Sequence, residues 1–75
     1  MMVSKDSFLK AFHSIFDETP EDQILISTKY KQLDEWSSLV VLSLIVLFEE
    51  EYKSTLTVAD IEKAKTVEDL YNLIK

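Results

Sequence analysis

The segment from Trp36 to Tyr52 would be apolar on nearly every side if it formed a helix; it reads WSSLVVLSLIVLFEEEY. A surface helix of a soluble protein normally keeps one polar face. The single small core that 75 residues can build leaves part of such a helix uncovered. We therefore expect some of this apolar surface to contact something outside the core.

Apolar residues near the start of the chain predict a first helix. They recur at helical spacing and would share one face: Phe8, Leu9, Phe12, Ile15 and Phe16. Ser4 or Asp6 is the candidate N-cap of this helix. We expect the helix to end near Asp17, because Pro20 disfavours helical backbone in the residue before it.

A long connector from Glu18 to Glu35 follows the first helix. Its apolar side chains are expected to anchor it against the helices: Ile24, Leu25, Ile26, Tyr30 and Leu33. Loops of this length usually have a function or a packing role. The second helix is predicted from Ser37 or Ser38 to about Tyr52, and a short polar break follows it.

The C-terminal third predicts a short helix from about Val58 to Ala64 and then a last helix capped by Thr66. Asp69 stands three residues after Thr66, which is the spacing of a capping box. No segment alternates with period two, and the chain has no glycine for hairpin turns. We predict an all-α fold: one domain over residues 1–75, a four-helix bundle with three longer helices, one short helix and a long first loop.

Composition excludes several classes of function. With no cysteine and one histidine, the chain has no disulfide framework and lacks the usual ligands of a zinc site. Its 14 acidic and 8 basic residues, with no arginine, give a formal charge of −6 and argue against nucleic-acid binding. The N-terminus lacks the apolar core of a signal peptide, and no apolar run approaches the roughly 20 residues that span a bilayer. We expect a cytoplasmic monomer with no membrane span.

The second helix has two predicted faces. The expected core stripe is centred on Ile45 and consists of Val41, Leu42, Ile45, Phe48 and Tyr52. The opposite face consists of Val40, Ser43, Leu47 and Glu50, with Val46 at its edge. This face is ordinary exposed apolar surface, part of a core wider than the predicted stripe, or a docking surface for another protein. The acidic run of residues 49–51 either keeps the chain soluble or steers it toward a basic partner.

Two serines mark the start of the second helix. Ser37 is placed as its N-cap, Trp36 then precedes the cap and is positioned to pack against Val41, and Ser38 is the first helical residue. A phosphate esterified to the Ser38 hydroxyl would lie beside free backbone N–H groups, which favour an anion. Two ordinary capping serines are the commoner explanation of such a pair.

Four segments, taken together with their spacing, resemble the acyl carrier protein family: Ser38-Leu39, Phe48-Glu49-Glu50-Glu51-Tyr52, Val58-Ala59-Asp60-Ile61-Glu62-Lys63 and Thr66-Val67-Glu68-Asp69-Leu70. The family pattern is Asp-Ser-Leu at the head of the second helix, a Leu-Glu-Glu-Glu-Phe-like end to it, and a Thr-Val-x-Asp-Leu start to the last helix. The first helix and the long loop also fit the family's order of elements. The resemblance covers most of the chain.

This resemblance implies a carrier for fatty-acid or secondary-metabolite biosynthesis that catalyses nothing itself. Ser38 would receive 4′-phosphopantetheine from a phosphopantetheinyl transferase, and the thiol of that arm would carry an acyl or aminoacyl group as a thioester. The enzymes that load and transfer the group would dock beside Ser38 and along the second helix. The residues expected to contact them are Trp36, Ser37, Leu39, Val40, Ser43, Leu47 and Glu50.

The head of the second helix departs from the family pattern. Ser37 stands where the family has aspartate, Val40 and Ser43 stand where it often has acidic residues, and the usual preceding glycine is absent. We therefore favour a carrier of a specialised pathway over the general fatty-acid carrier. The alternative is a protein-interaction module that keeps the carrier fold, is never modified, and binds a partner through Val40, Leu47 and the glutamates.

Catalysis by the chain itself is not expected. A nucleophilic serine needs a nearby base and a third group that orients this base. The one candidate base, His13, stands alone and lies off the apolar stripe of the first helix, so we expect it to face solvent.

Overall fold

The computed structural model describes residues 3–74, and these residues form four α-helices and two short 3-10 turns. The helices are α1 (Lys5–His13), α2 (Ser38–Tyr52), α3 (Val58–Lys63) and α4 (Val67–Tyr71), and the 3-10 turns are Glu21–Gln23 and Tyr30–Gln32. No strand occurs in this range, which confirms the predicted all-α class. No helix within residues 3–74 is both long and apolar enough to cross a membrane.

The helix lengths differ from the prediction at both ends of the chain. Ser4 caps α1 as predicted, and its hydroxyl accepts a hydrogen bond from the Ser7 amide at 3.1 Å. The helix ends at His13, before Asp17, and a tight turn in which the Phe16 amide donates to the His13 carbonyl continues the chain. Phe16 is nevertheless buried, because the turn keeps its side chain on the core side. Two helices are short rather than one, since α4 has five residues and α3 has six.

Reciprocal capping boxes begin both short helices. In α4 the Thr66 hydroxyl accepts from the Asp69 amide, and the Asp69 carboxylate accepts from the amides of Lys65 and Thr66. These amide bonds lower the pKa of Asp69 below its usual value, because they stabilise the ionised carboxylate. The predicted capping box is therefore confirmed, and Thr57 begins α3 in the same way.

The core combines aromatic rings with aliphatic side chains. Its buried members are Phe8, Phe12, Phe16, Ile24, Tyr30, Val40, Leu44, Phe48, Leu56, Ile61, Ala64, Val67 and Leu70. Phe8 of α1 packs edge to face on Phe48 of α2, with ring centroids 5.8 Å apart, and also lies against Tyr71 of α4. This one side chain therefore joins three helices.

The long first loop is tied to both short helices. The buried Tyr30 hydroxyl reaches the carbonyl groups at the end of α3, and the Lys31 Nζ donates to the Glu62 carbonyl at 2.7 Å. Burial raises the pKa of Tyr30 to about 12. Carbonyl groups of the loop also accept from the first amides of α4, including the Glu68 amide, which donates to the Ile26 carbonyl at 2.8 Å. The loop is thus a structural element of the bundle.

The anchors of the loop were predicted with one error. Ile24 and Tyr30 are buried, and Ile26 and Leu33 pack partly against the core. Leu25 is exposed and begins a turn in which the Thr28 amide donates to its carbonyl at 3.0 Å. The Leu25 amide donates to the Thr28 hydroxyl at 2.8 Å within that turn.

Candidate functional site

The rotation of α2 about its own axis differs from the prediction. Val40, Leu44 and Phe48 are its buried residues, so the buried stripe is centred on Leu44. Leu42, predicted as core, is 60% exposed. Val40, predicted to contact partner enzymes, is only 7% exposed and belongs to the core. The prediction was wrong for both residues because the face of α2 that packs into the core is centred one residue, about 100° around the helix, from the predicted centre at Ile45.

Two predicted residues flank the true core stripe of α2. Ile45, the predicted centre of the core, and Leu47, a predicted docking residue, are both half-buried. They lie on opposite sides of Leu44 on the helix circumference. Neither residue is wholly core or wholly surface.

Ser38 is the first residue of α2, as predicted, and its side chain is exposed. Ser37 occupies the N-cap position with extended backbone, at φ −159°, but its hydroxyl makes no capping hydrogen bond. The first hydrogen bond of the helix runs from the Val41 amide to the Ser37 carbonyl at 3.1 Å. The amide groups that precede Val41 therefore have no partner inside the helix, and no side-chain cap covers them.

Trp36 holds the head of α2 against the long loop. Its ring is half-buried and lies 5.0 Å, centroid to centroid, from the ring of Tyr30. Its amide donates to the Leu33 carbonyl at 3.0 Å. Trp36, which was predicted to contact partner enzymes, therefore also helps to hold Ser38 in place.

Glu35 and His13 fix the other end of the same loop. The Glu35 carboxylate accepts from the Glu18 amide at 2.9 Å and from the Thr19 hydroxyl. The His13 Nε2 donates to the Thr19 carbonyl at 2.9 Å. His13 is partly buried by this contact, so the prediction that it faces solvent was wrong. Its place off the apolar stripe of α1 suits a side chain that binds the loop instead of the core.

An open groove of about 650 Å³ runs between α1 and α2. The α2 wall consists of Leu39, Leu42, Ser43, Val46, Leu47, Glu50 and Glu51. The α1 wall, formed by the end of α1 and the turn after it, consists of Ala11, Ser14 and Ile15. Four of the predicted docking residues therefore share one edge of α2. Leu42 was missed as a groove residue, although Leu39, Leu42 and Val46 already have the i, i+3, i+7 spacing of a single helix face.

The groove extends along α2 from the residue next to Ser38 to the acidic C-terminal end of the helix. Leu39 follows Ser38 directly and is 75% exposed, whereas Glu50 and Glu51 line the groove at the other end. The three glutamates of residues 49–51 are all exposed. The open groove thus begins at Leu39, the residue after the exposed serine, and ends at acidic side chains.

No metal site is built into this arrangement. Among residues 3–74, no group of three or more histidine, cysteine, aspartate or glutamate side chains is placed to hold a metal ion. The one histidine is committed to the Thr19 carbonyl. What the site offers chemically is a free hydroxyl beside the positive end of a helix.

Comparisons of the chain with protein-family models, with curated proteins and with solved structures found no match. The resemblance to acyl carrier proteins therefore rests on the sequence segments quoted above.

Proposed function

We propose that this protein is a carrier that bears an acyl or aminoacyl group as a thioester on a 4′-phosphopantetheine arm attached to Ser38. The observation that carries the proposal is the position of that side chain. It is exposed, it lies at the first position of a 15-residue helix, and the sequence around it resembles the attachment motif of acyl carrier proteins. We further propose that the protein acts in a specialised biosynthetic pathway of the cytoplasm.

The head of α2 fits the phosphate of such an arm. An anion on the Ser38 oxygen would lie next to the free amides of the first helical turn, where the helix dipole is positive. The Ser37 hydroxyl leaves those amides uncovered. The chain therefore offers backbone donors to the phosphate without needing the arginine that it lacks.

The protein's own part in the attachment is to supply the nucleophile. The Ser38 oxygen would form a new P–O bond to the pantetheine-bearing phosphorus of coenzyme A, and the P–O bond to the adenosine bisphosphate would break. The Ser38 proton would pass to a base of the transferase, because within residues 3–74 the one histidine, His13, already binds the loop. The attached group supplies a thiol, the chemistry that a chain without cysteine lacks.

The surroundings of Ser38 support docking by separate enzymes. Leu39 and Leu42 are exposed beside it, and large exposed apolar side chains often mark contact surfaces. Trp36 and Tyr30 hold the start of α2 in place from the other side. A partner enzyme would thus meet a rigid serine with an apolar flank, and the glutamates at the far end of α2 would favour a partner with a basic surface.

An unmodified interaction module is the second candidate function. The observation that favours it is the exposure of Leu39, Leu42 and Val46, a surface that can bind a partner whether or not Ser38 is modified. This module would bind its partner in the unmodified state, and Leu42→Gln would abolish binding while Ser38→Ala would not.

Mass spectrometry of the intact protein distinguishes the two candidates. The chain is incubated with coenzyme A and a broad-specificity phosphopantetheinyl transferase. The carrier proposal predicts that the wild type and Ser37→Ala gain the mass of one phosphopantetheine and that Ser38→Ala gains nothing. No gain by the wild type, or a gain by Ser38→Ala, would contradict it.

A further inference from the structure

We infer that the groove between α1 and α2 holds the arm attached to Ser38 and that the cargo at the end of this arm is an aminoacyl group rather than a plain alkyl acyl group. The inference rests on the proposed function, and it concerns where the arm lies and what it carries. Three observations support it: the length of the groove, the chemistry of its walls and the charge at its far end.

The groove has the length of the arm. Glu50 lies twelve residues after Ser38 on a straight run of helix, which corresponds to about 18 Å along the axis. An extended phosphopantetheine is roughly as long as five extended amino-acid residues, about 17 Å. An arm that leaves Ser38 and follows α2 therefore brings its thioester to the acidic end of the groove.

The walls of the groove match the arm along this path. Leu42 lies one helical turn after Ser38, and Val46 lies one turn further; these side chains are 60% and 51% exposed and would be covered by the arm's methyl and methylene groups. Ser43 on α2 and Ser14, the C-cap of α1, place hydroxyl groups beside them. The Ser14 hydroxyl donates to the Ala11 carbonyl, so its lone pairs remain available to the N–H groups of the arm.

The interior of the bundle is already filled. Phe8, Phe12, Tyr30, Leu44 and Phe48 are completely buried. The four aromatic rings among them are linked by contacts between Phe8 and Phe12, Phe8 and Phe48, and Phe12 and Tyr30. A long alkyl chain would have to displace these side chains to enter. The surface groove is therefore the place that this chain offers to an attached group.

The far end of the groove favours a cation. Glu50 and Glu51 line it, and both are exposed. The ammonium group of an aminoacyl thioester would lie beside these carboxylates, whereas the methyl end of an alkyl chain would gain nothing from them. Charge complementarity thus selects an amine-bearing cargo.

A matched pair of cargoes tests this selection. The β-alanyl and butyryl groups have nearly the same size and differ in an ammonium in place of a methyl group. Each is attached to the ¹⁵N-labelled protein on an enzymatically added arm, and in parallel on a maleimide-linked pantetheine analogue joined to Ser38→Cys. The second route places the arm even if the transferase rejects the chain, so failure of the proposed function and failure of this inference remain distinguishable.

Backbone amide chemical shifts give the readout. We expect arm attachment to shift the amides of Ala11, Ile15 and Val46, and the β-alanyl group to shift those of Glu50 and Glu51 at least threefold more than the butyryl group does. Val46→Gln should reduce the first set of shifts. Glu50→Gln combined with Glu51→Gln should remove the difference between the cargoes, whereas Glu49→Gln, on the same helix but outside the groove, should not.

Several outcomes would overturn the inference. An attached arm that shifts only residues next to position 38 would show that the groove does not hold it. Equal shifts from the two cargoes would contradict the aminoacyl assignment. Sedimentation of the unmodified protein as a dimer that Leu42→Gln dissociates would show that the groove is covered by a second copy.

Discussion

The phenolic oxygen of Tyr30 lies 2.6 Å from the carbonyl oxygen of Ile61, and this hydrogen bond joins the long first loop to the end of α3. The Ala64 carbonyl lies 3.1 Å from the same hydroxyl. The ring of the same tyrosine packs on Trp36, two residues before Ser38. The support of the candidate attachment site therefore extends through Tyr30 to the C-terminal half of the chain.

Replacing Tyr30 by phenylalanine tests this connection. The substitution keeps the ring in the core but leaves the carbonyl groups of Ile61 and Ala64 without their side-chain donor. We expect the free energy of unfolding to fall by about 1 to 3 kcal/mol, measured by urea denaturation. Tyr52→Phe, at a half-buried tyrosine, is the matched control and should change it by less than about 0.5 kcal/mol. Equal effects of the two substitutions would show that the Tyr30 bonds do not contribute.

The buried stripe of α2 is tested by two leucines two positions apart. Leu44→Ala removes a completely buried side chain and should lower the free energy of unfolding by about 2 to 5 kcal/mol. Leu42→Ala removes a mostly exposed side chain and should lower the free energy of unfolding by less than about 0.5 kcal/mol. Urea denaturation of both variants measures these changes. The reverse order of costs would mean that α2 is turned toward the face centred on Ile45.

The rotation of α2 marks the limit of what the sequence could predict about the fold. The start of the helix at Ser38 and its end at Tyr52 were predictable, because polar residues lie beyond both. The buried face was not, since apolar residues surround the helix and several rotations bury a similar area. What selects the stripe around Leu44 is the shape of the neighbouring aromatic rings, above all Phe8. Such contacts between distant residues leave no periodic signal.

The end of α2 is held in a strained conformation that can be relieved. Lys53 has positive φ, at 53°, where a side chain costs about 1 to 2 kcal/mol and glycine is favoured. Lys53→Gly should therefore raise the free energy of unfolding by about 0.5 to 1 kcal/mol once the greater freedom of unfolded glycine is subtracted. Lys53→Ala is the control, because it removes the same charge and keeps the strain. Similar changes in both variants, measured as denaturation midpoints, would assign the effect to charge.

The capping box of α4 predicts that the stability of the fold depends on pH. The pKa of Asp69 is lower in the folded chain than its ordinary value of 3.8. The ionised carboxylate therefore makes its full contribution to the free energy of unfolding above that value, and this contribution is lost as pH falls through the lowered pKa. Asp69→Asn should be less stable than the wild type at pH 7, and the difference should shrink below about pH 4. Thr66→Ala, which keeps the carboxylate, should instead lower stability by about 1 kcal/mol across this range. A constant gap for Asp69→Asn in denaturation series between pH 2 and pH 7 would contradict the assignment.

The candidate site was predictable in part. Local signals placed Ser37 and Ser38 at the head of α2, because a cap position depends on a few adjacent residues. Helical spacing also placed Ser43, Leu47 and Glu50 on one face of the helix, and all three line the groove. The α1 wall of the groove was beyond such reasoning, since the packing angle of two helices depends on side chains far apart in sequence. The contact of His13 with the Thr19 carbonyl, six residues further on, was missed because it depends on how the chain folds back after α1, which helical periodicity does not predict.

The central claim is that Ser38 carries a phosphopantetheine arm in the living cell. Its most direct test is the mass of the protein isolated from the cells that produce it naturally, followed by fragmentation of the peptide that contains residues 37 and 38. The account predicts a fraction of the protein with one added phosphopantetheine, located on Ser38 and not on Ser37. Protein that is unmodified throughout, under conditions in which other carriers of the same cells bear the arm, would contradict it.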